Sequence, residues 1–299
     1  MPHFVELQPQ HLDELTVFCN RNFEFHSGQF EAEILHKRIF DDQDHLPDHG
    51  FLLRNNGKTI GFMVGVLRGN EGGLKLFAVD REHRRSGSGS MMLEEIEALF
   101  RFSGAERVRI LNCSPYYFMP GLDPRYTEAL CFLQSRGYNA ERYVHNMEVD
   151  LTENDFDTAQ AESKLAKEGF KIRRLMHEEE QTFYEWMLGT WSQNWTTEAC
   201  NSLKNTPVTT FIALDGDNNI CGFATYDVTM FRGGFGPTGV EESLRGLGIG
   251  KVLFLRCLQD MKVRRYPRCE IAWVGPISFY AHTIGARICA TFMQGSKTL

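Results

Sequence analysis

The stretch TGVEESLRGLGIGKVLFLRCLQDM, residues 238–261, decides how the second half of this chain is expected to fold. It opens on three strand-like residues and passes through a polar segment into Arg245-Gly246-Leu247-Gly248-Ile249-Gly250. The residues that follow predict an amphipathic helix, because their apolar members recur at helical spacing. Those members are Val252, Leu253, Cys257, Leu258 and Met261. A strand, a glycine turn and a helix are therefore predicted in that order.

This order suits a site for phosphate. The first amides of a helix have no partners within the helix and lie at the positive end of its dipole. Glycines permit positive φ and let a ligand approach the backbone. A P-loop and a dinucleotide-binding turn need other glycine spacings, although Lys251 does follow Gly250. The turn is therefore predicted to hold phosphate through a motif other than these two.

The same pattern occurs earlier in the chain. Phe77-Ala78-Val79 precedes Arg84-x-x-Gly87-x-Gly89, as Thr238-Gly239-Val240 precedes Arg245-x-x-Gly248-x-Gly250, with an offset of 161 residues (245 − 84). The first copy also leads into an amphipathic run, from Met91 to Phe100. Strand candidates at 108–111 and 270–274 follow at the same offset. Two copies in register make chance a poor explanation.

Each half shows the same elements upstream of its turn. A strand at 3–8 or 171–174 precedes helical segments, and two strands then form a hairpin. The hairpins join 50–55 to 58–67 across Asn-Gly and 208–214 to 220–229 across Asp-Gly, which are strong turn signals. The predicted order in each half is β, α, α, β, β, β, α, β, α, β. The first half also inserts residues 113–124.

Length and composition indicate two globular domains. The chain has 299 residues, of which 42% are hydrophobic and 24% charged, and a domain is typically about 150 residues long. We predict an N-terminal domain over 1–152, a polar connector over 153–170 and a C-terminal domain over 171–299.

The charge and the cysteines narrow the range of partners. A formal net charge of -7 gives no bulk attraction for nucleic acid or an anionic membrane. The eight cysteines form no C-x-x-C pair and show no zinc-ligand spacing, so no metal site is expected. We expect them to be reduced residues of the core. The N-terminus lacks the pattern of a signal peptide, and no apolar run reaches membrane-spanning length. We expect a cytoplasmic protein.

Both halves resemble the GCN5-related N-acetyltransferases. The hallmark of that family is a strand ending in a small-apolar-Val step, followed by [RQ]-x-x-G-x-[GA]. Residues 77–89 fit this stretch, and residues 238–250 fit it more closely. The resemblance implies an α/β (α+β) fold of two tandem domains. Each would be a mixed, mostly antiparallel sheet flanked by helices.

The resemblance also implies acetyl-CoA as co-substrate. Its pyrophosphate would lie on the amides of residues 246–251, and its pantetheine arm would pair with the strand edge near residues 238–240. The implied cofactor-binding residues are Thr238, Gly239, Val240, Arg245, Gly246, Leu247, Gly248, Ile249, Gly250 and Lys251. The first half offers a second set, which is Val79, Arg84, Arg85, Gly87, Ser88, Gly89 and Ser90.

The resemblance separates the two halves in chemistry. Family members commonly use a tyrosine on the last helix, after Phe or Leu and shortly before Gly, to protonate the departing thiolate. Phe279-Tyr280 matches this pattern, whereas Phe132-Leu133 places a leucine at that position. Leucine cannot donate a proton. Tyr280 is therefore the predicted acid, although a core tyrosine is the alternative reading.

The general base is less well defined by the sequence. The family often uses a carboxylate, and Asp227 and Glu241 (or its neighbour Glu242) flank the relevant strand. Solvated charges are the alternative for each. A cluster of tryptophans, at 186, 191 and 195, would suit an apolar or aromatic amine if it were not simply core.

The leading prediction is an acetyl-CoA-dependent N-acetyltransferase acting on a small-molecule amine by direct transfer. A non-catalytic acyl-CoA-binding regulatory protein is the main alternative. A second alternative is an acetyltransferase that completes a thiol cofactor, as mycothiol synthase does.

Overall fold

The computed structural model describes residues 1–26, 28–229 and 231–299. The chain forms two compact units. The first contains Met1–Val144 together with Thr291–Leu299, and the second contains His145–Ala290.

The first half of the chain follows the predicted order of elements. In order, the elements are β1 (His3–Glu6), α1 (Leu12–Asn22), α2 (Ala32–Ile39), β2 (Gly50–Asn55), β3 (Lys58–Arg68), β4 (Glu71–Val79), α3 (Ser88–Phe102), β5 (Arg107–Ile110), α4 (Thr127–Ser135) and β6 (Asn139–Asp150). At the β2–β3 turn, Asn56 has φ 50° and Gly57 has φ 76°. Both values are left-handed, as the tightest hairpin turn requires.

The second half repeats that order after one additional helix, α5 (Ala159–Lys167). The elements are β7 (Lys171–Arg174), α6 (Glu180–Thr190), α7 (Gln193–Cys200), β8 (Thr210–Leu214), β9 (Ile220–Tyr226), β10 (Gly234–Val240), α8 (Ile249–Val263), β11 (Arg268–Ile271), α9 (Ile277–Ile284) and β12 (Arg287–Thr298). The predicted fold class, a mixed and mostly antiparallel sheet with helices in each half, is confirmed.

Within each unit, four strands pair antiparallel and a fifth joins them in parallel. In the first unit these are β1 to β4 with β5, and in the second they are β7 to β10 with β11. The sixth strand comes from the other half of the sequence in each case. Residues 296–298 of β12 pair with β5, and residues 147–150 of β6 pair with β11.

This pairing divides the chain differently from the boundaries expected at 1–152, 153–170 and 171–299. The end of β12 packs in the first unit, and the end of β6 and the helix α5 pack in the second. Strand pairing decides this division, because each strand edge needs hydrogen-bond partners that local sequence does not specify. The second unit is thus a continuous segment inserted into a discontinuous first unit.

The parallel strand pairs are short and diverge at equivalent points. β5 pairs with β4 only along residues 71–74 of β4, and β11 pairs with β10 only at residues 234–235. A bulge follows on β4 at Lys75 and on β10 at Gly236. These two positions are again 161 residues apart (236 − 75). Each central strand continues past its bulge for several residues without its parallel neighbour.

A long helix packs against each sheet and completes the apolar core of its unit. In α8 the residues predicted to form the apolar face are buried against β9, β10 and α9. In α3, Met92, Leu93, Ile96 and Phe100 are buried in the same way. These helices begin directly after the two glycine turns, so core packing fixes where each turn lies.

Candidate active site

The turn of the second unit has the backbone geometry that its glycines predict. Gly246 has φ 88° and Gly248 has φ 94°, and α8 begins at Ile249. A Cβ atom at Gly246 or Gly248 would meet nothing within 4 Å. The space over the first amides of α8 is therefore open to a ligand, and those amides have no partners inside the helix.

An arginine ties each turn to the strand before it. Arg245 Nε donates to the Val240 carbonyl oxygen at 3.4 Å, and Arg84 Nε donates to that of Val79 at 3.3 Å. The Arg245 side chain is 60% exposed. The arginine of the repeated motif thus ties the turn to the strand, and each arginine also pairs with a glutamate, Arg245 with Glu242 at 3.8 Å and Arg84 with Glu128 at 2.8 Å.

The turn of the first unit is similar in backbone but more covered. Arg85 has φ 62° and Gly87 has φ 88°, at the positions of Gly246 and Gly248. A Cβ at Gly89 would lie 3.6 Å from the Phe132 ring of α4, and Arg136 hydrogen-bonds the Ser90 hydroxyl. Side chains of α4 therefore lie against the start of α3, whereas a Cβ at the equivalent Gly250 would meet Val240 of the preceding strand at 3.4 Å.

The edge of β10 beyond its bulge is available to an extended ligand. Glu241 N donates to the Cys221 carbonyl, and hydrogen bonds alternate along an antiparallel pair. The amides of Thr238 and Val240 consequently face away from β9. Because β11 pairs only at Gly234 and Phe235, these amides border the gap between the two strands.

Tyr280 of α9 lies in the apolar core of the second unit. It is 5% exposed and packs edge-on against Phe254, with ring centroids 5.1 Å apart. Burial raises the pKa of the Tyr280 hydroxyl well above its usual range. Within the described ranges, no hydrogen bond to that hydroxyl is present. A protonated and unengaged hydroxyl can serve as an acid, whereas Leu133 of α4 is a buried aliphatic residue.

The two carboxylates predicted as bases lie at opposite ends of β10. Glu241 accepts a hydrogen bond from Trp186 Nε1 at 2.9 Å. Asp227 accepts from Gly233 N at 2.7 Å and from the Tyr266 hydroxyl at 2.5 Å. Six residue steps of about 3.3 Å separate these ends by about 20 Å. The structure does not bring Asp227 and Glu241 together, and their catalytic roles stay predictions.

Tryptophans cover one face of β10. A Cβ at Gly239 would lie 2.5 Å from the Trp191 ring, so only glycine fits there without a shift. Trp191 stacks on Trp195 with centroids 5.3 Å apart, and both contact Phe223. Trp191 Nε1 is buried with no hydrogen-bond partner among the described residues. The tryptophan cluster therefore belongs to the apolar core and also covers one face of β10.

One buried carboxylate was not indicated by any motif. Glu270 of β11 is 8% exposed and lies beside Gly234, where the two parallel strands diverge. Asn146 Nδ2 donates to its Oε1 at 2.6 Å. The available signal was a single acid between Cys269 and Ile271 in a short apolar strand, which alone does not distinguish burial from an exposed face.

The corresponding region of the first unit holds a buried ion-pair cluster. Lys75, at the bulge, is 1% exposed and pairs with Asp42, which also accepts from Arg68 at 2.7 Å. Burial lowers the pKa of Lys75 to about 8, against the opposing effect of Asp42. The second unit has Gly236 at this position, so the two units differ where their strands diverge.

Metal binding and membrane insertion each require a recognisable structural feature. Among the described residues, no group of three or more His, Cys, Asp or Glu side chains is arranged to hold a metal ion. Over the same described ranges, no helix combines the length and apolarity needed to cross a membrane.

The geometry defines a class of protein, an acyltransferase fold built from two repeats. The chain belongs to the acetyltransferase (GNAT) family, whose model matches residues 14–117 and 172–284. These segments cover more than half of the chain, so the chain is an enzyme of the acyl-transfer class. No curated protein sequence matches it significantly.

Solved structures share the fold at low sequence identity. A glucosamine N-acetyltransferase region of a fungal multi-domain β-N-acetylglucosaminidase matches with TM-score 0.79 and 18% identity, covering 99% of this chain. This chain spans only 38% of that protein. A GCN5-related N-acetyltransferase from Sphaerobacter thermophilus matches with TM-score 0.71 and 17% identity, covering 99% of this chain and 95% of its own.

A third structure shares the tandem arrangement. A tandem GNAT protein from the clavulanic acid biosynthesis pathway matches with TM-score 0.70 and 15% identity, covering 100% of this chain and 98% of its own. At such identities the likeness extends to the fold alone.

Proposed function

We propose that the second unit transfers an acetyl group from acetyl-CoA to a small-molecule amine. The pyrophosphate binds the amides of residues 246–251, and the pantetheine arm pairs with the free edge at Thr238 and Val240. The observation that carries the proposal is that the glycine turn, the free strand edge and Tyr280 all lie in the second unit. An open helix start, an unpaired strand edge and a buried hydroxyl are the three features that acyl transfer from a CoA thioester needs.

The reaction follows from these features. The neutral amine attacks the thioester carbonyl, and a carbon–nitrogen bond forms. A backbone amide of β10 stabilises the oxyanion that develops on the carbonyl oxygen. The carbon–sulfur bond then breaks, and Tyr280 gives its proton to the departing thiolate. The nitrogen loses one proton as the amide forms, and that proton restores the Tyr280 hydroxyl through solvent. Its raised pKa keeps the hydroxyl protonated at neutral pH.

The first unit is proposed to lack this chemistry. Leu133 replaces the acid, and the buried pair of Lys75 and Asp42 lies where its strands diverge. Its turn still offers amides and arginines to a phosphate. Binding of CoA without transfer is therefore the second candidate for the first unit, favoured by the positive φ of Arg85 and Gly87 before α3.

A panel of amines tests the proposal. Wild-type protein with acetyl-CoA should release CoA thiol in an amine-dependent way. The panel includes glucosamine, because one structural neighbour acts on it, together with aryl-alkyl amines and a cysteinyl sugar. Acetylation of the cysteinyl sugar alone would instead favour the thiol-cofactor alternative. CoA binding with no transfer to any amine would favour the regulatory alternative.

Two variants then assign the chemistry to a unit. Tyr280→Phe should lower kcat by about 10²-fold or more, with little change in the Kd of CoA. The double variant Arg84→Ala/Gly87→Val should keep kcat close to that of the wild type. The reverse result would place the chemistry in the first unit.

A further inference from the structure

The carboxylate of Glu270 lies on the face of the second sheet opposite α8, and the residue is 8% exposed. Its neighbours Cys269 and Ile271 are buried in the core with α8. Successive side chains of a strand point to opposite faces, so Glu270 faces away from α8. Phe223 and Gly239 also face that side, where Trp191 and Trp195 pack.

Its position along the strand places it at the closed end of the gap. Glu270 is the register partner of Gly234, and β10 and β11 diverge after the next residue pair. The bulge at Gly236 is two residue steps from Gly234, or about 7 Å along the strand. A thioester whose pantetheine arm lies along residues 238–240 would place its carbonyl near this bulge.

One hydrogen bond holds the carboxylate. Asn146, which is fully buried, donates from Nδ2 to Glu270 Oε1 at 2.6 Å and accepts from Trp273 N through Oδ1 at 2.8 Å. The second contact fixes which way the Asn146 amide points. Within the described ranges no other hydrogen bond and no basic side chain reaches Glu270. Its Oε2 is free to accept a proton.

The charged groups around Glu270 are few. Glu148 of β6 lies directly opposite in the register and is 43% exposed, with Arg268 of β11 at 3.6 Å. Cys289 of β12 also interacts electrostatically with Glu270 and Glu148. The ion pair that Arg268 forms here is with Glu148.

The repeat offers a built-in comparison. The position equivalent to Glu270 in the first unit is Arg109 (270 − 161), which pairs with Glu71 through two hydrogen bonds of 2.7 Å each. An arginine cannot accept a proton. Proton acceptance at this position is therefore confined to the second unit, as is the hydroxyl of Tyr280.

We propose that Glu270 is the general base that deprotonates the acceptor amine, and that Asn146 is its positioning residue. This inference rests on the proposed function. One ammonium proton passes to Glu270 Oε2, and the neutral nitrogen then bonds to the acetyl carbon. The carbon–sulfur bond breaks, and the thiolate takes the proton of Tyr280. The nitrogen loses its second proton as the amide forms, and that proton restores the Tyr280 hydroxyl through solvent. Glu270 releases its proton to solvent before the next turnover.

Glu270→Gln tests the base directly, because it keeps the shape and removes the proton acceptor. We expect kcat/KM for the amine to fall by about 10²-fold or more, with the Kd of CoA unchanged. The acid limb of the pH profile of kcat/KM should disappear. Glu148→Gln is the matched control, since it removes a more exposed carboxylate from the same face and should stay within about threefold.

Asn146→Leu tests the positioning role. Its Nδ2 holds Glu270 Oε1 in place, so its loss should lower kcat for the amine while KM and the Kd of CoA change little. Glu270→Asp should retain an acid limb at reduced kcat, which serves if the glutamine variant folds poorly. Wild-type activity and pH profile in Glu270→Gln would overturn the inference and leave the proposed function standing. A wild type inactive with every amine would overturn both.

Discussion

Replacing Gly239 with alanine tests the contact between β10 and the tryptophan pair. A Cβ at that position would lie 2.5 Å from Cη2 and 2.6 Å from Cζ2 of Trp191. Carbon atoms in ordinary contact are about 3.5–4.0 Å apart, so the ring would have to withdraw by about 1 Å. Trp191 packs between Trp195 and Phe223, at centroid distances of 5.3 and 5.9 Å. The displacement therefore spreads to both neighbours.

The expected loss follows from the cost of overpacking, which is about 1–3 kcal/mol. In a domain of this size each kcal/mol lowers Tm by about 2–4 °C. Calorimetry of Gly239→Ala should therefore show a Tm lower by about 2–12 °C. In a Trp191→Leu background the same alanine should cost less, because the obstructing ring is absent.

Gly189→Ala is the matched control. Gly189 lies within α6, and a Cβ there would meet nothing within 4 Å. The same substitution should raise the free energy of unfolding by about 0.4–1 kcal/mol. A Gly239→Ala protein that melts at or above the wild-type Tm would refute the placement of Trp191 against β10.

Three further outcomes are expected. A fragment of residues 145–290 should unfold cooperatively by circular dichroism, whereas 171–299 should not, because it lacks the strand that pairs with β11; equal behaviour would contradict the strand assignment. The free energy of unfolding of the wild type, relative to that of Lys75→Met, should increase between about pH 8 and about pH 10.4, because in this window the lysine binds more protons in the unfolded state than in the folded state. A difference that does not change with pH would contradict burial of the Lys75 charge. Gly248→Ala should weaken CoA binding measured by calorimetry by about 5- to 30-fold, because holding a side chain at positive φ in the binding conformation costs about 1–2 kcal/mol, and Gly87→Ala should leave the second unit's affinity unchanged.

Local signals predicted the elements and the glycine turns. The hairpin at Asn56-Gly57 and the helices after Gly87 and Gly248 depend on backbone preferences and periodicity within a few residues. The repeat extended these predictions to the whole order of each half. The positive φ of Gly246 and Gly248 is likewise a local property, because a glycine turn between a strand and a helix favours it.

Long-range pairing could not be predicted in this way. The pairing of β6 residues 147–150 with β11, and of β12 residues 296–298 with β5, joins segments more than a hundred residues apart. The hydrogen bond from Asn146 to Glu270 depends on that pairing, so neither residue stood out in the sequence. The ion pair of Lys75 with Asp42 likewise needs a tertiary contact that no local pattern specifies.

The central claim is that the start of α8 holds the pyrophosphate of CoA. A crystal structure of the protein with CoA tests it most directly. Phosphate oxygens should lie within about 3.2 Å of the amides of residues 246–251, and the sulfur should lie within hydrogen-bond reach of the Tyr280 hydroxyl. CoA bound only at residues 85–90, with the turn after Arg245 empty, would contradict it.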